Sequence, residues 1–155
     1  MAMIETDINS PHMLTSCYAT IGNAEGARRC ARIALDRAEK VVVQDPSNGA
    51  VTAYSACALA VLGESERATE QMNRALLIDP EDWHMRYNFA CTLLVYLNMA
   101  DAALEMLGPV LDHVPGAFLN HIKVDPDLTR LRDNPRFKTM IAGAEARFTA
   151  ENASG

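Results

Sequence analysis

The run "LLIDP" at 76–80 closes one stretch of helix formers, and "WHMRYNFA" opens another just beyond it. The same grammar stands upstream, where "VVVQDP" ends at Pro46 and "GAVTAYSACA" begins at Gly49. Pro80 follows Pro46 at an interval of thirty-four positions. A proline stops a helix and pushes its predecessor out of the helical region. A stop recurring at a fixed interval means that one supersecondary unit is written more than once, and that its copies bury their apolar faces on each other. This constrains the fold more than any other feature of the chain.

The residues between the stops say what the unit is. Counting from Gly49 as position 1, Ala56, Leu59, Gly63, Ala68, Met72, Ala75 and Pro80 fall at positions 8, 11, 15, 20, 24, 27 and 32. Small side chains at 8, 20 and 27 suit two helices that cross closely, and a glycine at 15 can take the left-handed conformation that ends the first of them. A unit started at Trp83 places Ala90 at position 8. Asn98 then stands where Gly63 stood, and Ala103 where Ala68 stood. Pro115 comes one position later after Pro80 than Pro80 does after Pro46, so the turn carries one extra residue. Asparagine is the next-best residue for a left-handed cap. Pro109, inside the second helix of this unit, removes a backbone donor and predicts a local bend. Upstream, Thr15, Tyr18, Gly22, Ala27, Ala31 and Ala34 fit positions 8 to 27, but the stop arrives at Pro46, seven positions late. That excess is about two helical turns and keeps the apolar face in phase. The spacing predicts a helix lengthened to Ala24–Gln44.

After Pro115 the pattern changes. Asp125-Pro126 and Asn134-Pro135 each pair an N-cap residue with proline at the first helical position. Phe137, Met140, Ile141, Ala144 and Phe148 then form a single apolar stripe, as expected of a helix covering the end of an open stack. The tail from 150 reads as frayed.

Composition agrees with helices. Of 155 residues, 49% are hydrophobic but only 6% aromatic, and alanine dominates. The net charge of −6, with no Lys/Arg cluster, argues against nucleic acid or an anionic membrane as a partner. No apolar run is long enough to span a bilayer, and residues 1–9 carry no signal-peptide core, so the expectation is a cytoplasmic protein. Cys17, Cys30, Cys57 and Cys91 match neither a zinc motif nor a disulfide framework and read as small apolar side chains. His12, His84, His113 and His121 lack ligand spacing, no phosphate-binding glycine loop or nucleophile elbow is written, and Asp125, Asp127 and Asp133 read as caps and solvated acids. No metal, cofactor or catalytic activity is expected.

The repeating unit with these small residues resembles the tetratricopeptide repeat (TPR). The resemblance implies an all-α, TPR-type α-solenoid of about three helical hairpins (units near 8–46, 49–80 and 83–115, within an array over 10–115). Capping helices follow over 116–149, with flexible ends at 1–9 and 150–155. The order "GNAEGARRCARIALDRAEKVVVQDPSNG", "YNFAC", "DPDLTRLRDNPRFKTMI" is similar to the C-terminal TPR region of bacterial class III adenylate/guanylate cyclases and related signalling regulators. The chain would then be a non-catalytic interaction scaffold, the regulatory or partner-binding part of such a protein, although no cyclase domain is written here. In TPR arrays the first helix of each hairpin lines an inner groove. Carried over residue by residue, the groove would comprise His12, Met13 and Ser16, then Ala53, Tyr54 and Cys57, then His84, Tyr87, Asn88 and Cys91. Its ligand would be a protein, a peptide or another domain of the parent chain. The alternative is a homodimer formed through an uncapped N-terminal hairpin, with Met13, Leu14, Cys17 and Tyr18 as its apolar face.

Overall fold

The computed structural model describes residues 7–153, which form helices joined by short turns; among the described residues there is no strand. The chain divides into two compact units, Met1–Asp82 and Trp83–Gly155.

The first unit holds α1 (Asn9–Thr20), α2 (Ala24–Gln44), α3 (Gly49–Val61) and α4 (Ser65–Ile78), packed in sequence order with α1 on α2, α2 on α3 and α3 on α4. The lengthened helix has the predicted bounds, and Val41–Val43 continue it rather than starting a strand. Local chemistry sets each boundary. Asn23 Oδ1 accepts from the Gly26 amide at 2.8 Å and Asn48 Oδ1 from the Val51 amide at 3.1 Å, so each side chain satisfies a donor that the helix start leaves orphaned. Gly22 and Gly63 have φ of +74° and +81°. At the second turn the Gly63 amide donates to Ala60 O and the Glu64 amide to Leu59 O, and the first turn repeats this with Gly22 on Ala19 O and Asn23 on Tyr18 O. Both are the crossed pair of bonds of a Schellman turn.

Small side chains make most of the core of this unit, with Leu59 and Met72 its large fully buried side chains. Ala27, Ala31, Ala34 and Ala38 line one face of α2 and are at most 4% exposed. Ala31 and Ala34 meet Ala58, with Leu35, Val61 and Leu62 around them. A second cluster joins Ile8, Ala38 and Val51 beneath Val41, Val42 and Tyr54. Close helix contact is therefore the source of burial here, since a methyl group fills little space by itself. Ile8 lies within the stretch expected to be a flexible end; it is buried, and Arg37 donates to the Asp7 carbonyl beside it. The rest of that end, residues 1–6, lies outside the described residues.

The second unit holds α5 (Trp83–Val95), α6 (Ala100–His113), α7 (Gly116–Val124), a 3-10 helix (Pro126–Leu131) and α8 (Pro135–Ala153). α5 starts thirty-four positions after α3, and α6 thirty-five after α4. The extra residue sits in the α5–α6 turn, where Asn98 has φ of +56°. α6 runs through Pro109 to His113. The Asp125-Pro126 signal opens a 3-10 helix of 6 residues rather than an α-helix. The Asn134-Pro135 signal opens α8, where Asn134 Oδ1 accepts from Arg136 and Phe137 amides. α8 continues through Ala153, so residues 150–153, expected to fray, are helical.

Large side chains fill this unit: Phe89, Leu93, Leu94, Leu104, Leu107, Ile122, Leu128 and Leu131 are each at most 1% exposed. Three arginines close helix ends. Arg130 donates to Leu94 O (3.2 Å) and Asn98 Oδ1 (2.9 Å) at the end of α5. Arg147 donates to the Leu111, Asp112 and Val114 carbonyls at the end of α6. Arg132 donates to Val124 O at 2.9 Å and Asp125 O at 3.3 Å at the end of α7. Each adds a donor to carbonyls at a helix end and places a cation at its negative pole; Asp125 O also accepts from the Leu128 amide.

Candidate functional site

The expected groove residues fall into two groups, one in each unit. In the first unit the His12 ring lies 4.7 Å from the Tyr54 ring, and burial pushes the His12 proton affinity down. Met13 is 57% exposed and Ser16 is exposed, while Ala53, Tyr54 and Cys57 are half-buried. The leading edge of α1 is apolar and open: besides Met13, Leu14, Cys17 and Ile21 are exposed. Of the hairpin face expected from the sequence, Met13, Leu14 and Cys17 are thus open, while Tyr18 is half-buried.

The second unit brings more chemistry together. His84 is exposed and its ring stacks on the half-buried Trp83 at 3.5 Å; Asn88, one turn on, is also exposed. Tyr87 is buried, at 7% exposure. α7 covers it: the Phe118 ring stands edge-on to Tyr87 at 5.0 Å and to Trp83 at 4.9 Å, and His121 lies 5.3 Å from Phe118. The edge-on contacts are those that aromatic quadrupoles favour.

Behind the rings lies a carboxylate knot. The Tyr87 hydroxyl donates to Asp125 Oδ2, and His121 Nε2 is 3.3 Å from the same oxygen. Asp125 Oδ1 accepts from the Asp127 amide at 2.9 Å, capping the 3-10 helix. One buried side chain therefore ties α5, α7 and the 3-10 helix to a single point. Its surroundings are electronegative. Burial, then the Asp125 and Asp127 charges, push the Cys91 thiol up to about 12. Burial and the hydrogen bond to Asp125 push the Tyr87 hydroxyl well above its ordinary range. Burial and Asp125 raise the Asp127 carboxyl. A thiol held protonated is a poor nucleophile and a poor metal ligand. Among the described residues, no group of three or more His, Cys, Asp or Glu is arranged to hold a metal ion, and no helix is long and apolar enough to cross a membrane.

His84, Tyr87, Asn88 and Cys91 on α5 are among the groove residues expected from the sequence, whereas Phe118 and His121 on α7 are not. Asp125 and Asp127 read in the sequence as caps and solvated acids; Asp125 does cap, but its second oxygen holds Tyr87. A signal for α7 is present in the spacing. Gly116 follows Trp83 at nearly the repeat interval, so a further first helix could be placed there. No protein-family model matches the chain, and no curated protein does.

Proposed function

We propose that the chain is a non-catalytic protein-interaction module of the tetratricopeptide type, and that the α5–α7 face of its second unit receives the partner. The assignment to that repeat rests on the near-constant interval between hairpins, the left-handed turns at Gly22, Gly63 and Asn98, and the buried alanines at helix crossings. The observation that carries the binding role is the ring surface itself. In a chain with few aromatic residues, Trp83 and Phe118 gather with two imidazoles beside the exposed Asn88 amide. Rings supply contact area at low entropic cost, and an amide can hold a peptide backbone. The Tyr87–Asp125 bond keeps the face rigid. The protonated states of Cys91 and Tyr87 support binding rather than catalysis. The parent context best matching the sequence resemblance is a bacterial signalling regulator such as a class III cyclase. The test is a photo-cross-linking residue at Asn88, compared with one at Glu105 on α6. Capture of a discrete partner at Asn88 alone supports this reading; equal labelling at both sites contradicts it.

The open edge of α1 favours a second reading, self-association through the first hairpin. Met13, Leu14 and Ile21 are 57%, 42% and 73% exposed, with Cys17 between them. Light scattering over a concentration series tests it. A dimer abolished by Met13→Glu supports the reading, and a constant monomer mass removes it.

A further inference from the structure

The partner of the α5–α7 face can be described more closely, on the premise that this face is the docking site. Its charges are unbalanced. Asp125 and Asp127 lie side by side; of the nearby cations in sequence, Lys123 pairs with Glu145 and Arg130 with Leu94 O and Asn98, while Arg132 spends its bonds on the backbone carbonyls of Val124 and Asp125. The His121 imidazole approaches the Asp125 carboxylate from the ring side. Burial first, and then the neighbouring carboxylates, raise the proton affinities of Cys91 and Asp127; the second cause accords with an excess of acids here. His121 joins these acids to the rings: its Nε2 is 3.3 Å from Asp125 Oδ2 and its ring 5.3 Å from Phe118, which stands 4.9 Å from Trp83, itself stacked on His84. Aromatic faces carry negative quadrupole density and attract cations, most strongly at tryptophan, and arginine stacks on them as well.

We propose that this face binds a basic peptide segment, with an arginine or lysine side chain packed on the Trp83–Phe118 rings and its cation directed to Asp127. The two features are complementary to one ligand. Rings alone would accept any apolar residue, and a lone acid would hold a cation only weakly in water. Together they recognise a long cationic side chain along its stem and at its tip. The net charge of −6 favours the encounter at a distance.

Trp83 is the sole tryptophan, so its emission reports on the face directly. The experiment titrates the full chain with a short blocked peptide of alternating Arg and Gly, and separately with its Glu–Gly counterpart. The Arg peptide should shift Trp83 emission saturably and the Glu peptide should not. Asp127→Asn should weaken Arg-peptide binding by about five-fold or more, whereas Glu105→Gln, which removes the same charge from α6, should leave it unchanged. Salt gives a second readout that needs no variant: affinity should fall as ionic strength rises. Absence of a saturable shift, equal response to both peptides, or equal loss in Asp127→Asn and Glu105→Gln would overturn the proposal. A partner cross-linked at Asn88 through an acidic segment would overturn it while leaving the docking face itself standing.

Discussion

The two units reach the same helical hairpins by different means. The first unit relies on small residues: an alanine face on α2, alanines on α3 and α4, and glycine turns that reverse the chain. The second keeps alanines only at Ala90, Ala103 and Ala144 among its buried positions, and fills the rest with Phe, Leu and Ile, arginine-held helix ends and a buried carboxylate. Close-packed small residues tolerate no added volume, and large residues tolerate no removal. Burial by contact between backbones also leaves few side chains for chemistry. Burial by large and polar side chains creates the site.

The contrast can be broken from either side. The largest effect should come from Phe89→Ala, at 0% exposure, which should cost roughly 3–5 kcal/mol in chemical denaturation. A loss below about 1 kcal/mol would mean that the second unit is not held by its large residues. Ala34→Leu, at 1% exposure in the first unit, should cost about 1–3 kcal/mol by overpacking, and a neutral result would show slack where none is expected. Gly63→Val should cost about 1–2 kcal/mol, because a branched side chain is forced to positive φ. Asn98→Gly at the equivalent turn should be tolerated, and a large loss there would mean that the Asn98–Arg130 bond, not the backbone, sets that turn.

Smaller effects sharpen the same comparison. Gly143→Ala in α8 should stabilise by about 1 kcal/mol, since an added Cβ meets no atom within 4 Å and the position is helical. A loss would reveal a close neighbour at that position. Proton linkage should act on His12 in the first unit. Burial lowers its proton affinity, so the unfolded chain takes up the proton more readily. Stability is then full above the ordinary histidine value of about 6.5 and falls as pH drops through it toward the lower folded value. His12→Gln should flatten that decline in thermal melts, and an unchanged slope would assign it to other groups.

How much of this is legible in the sequence follows from the range of the interactions. The bounds of α2, the left-handed turns at Gly63 and Asn98, and the extra residue after α5 are readable because each depends on a few neighbouring residues and a periodic stripe. The α5 half of the site is readable as a helix face. The α7 half is not, because Asp125 acquires its role from Tyr87, 38 residues earlier, and Phe118 from the same distant ring. The arginine caps are hidden for the same reason: Arg130 and Arg147 reach carbonyls 36 residues back in the chain, and nothing local distinguishes them from solvated arginines. The burial of Ile8 and the helical end at 150–153 likewise depend on more than local composition.

The central claim is that one hairpin unit, with a left-handed residue at its turn, is written repeatedly along the chain. Backbone NMR chemical shifts and three-bond couplings across all residues test it most directly. The account predicts uninterrupted helical shifts from Ala24 to Gln44 and positive-φ signatures at Gly22, Gly63 and Asn98, with helix on both sides of each. Extended shifts within α2, or helix continuing unbroken through Gly63, would contradict it.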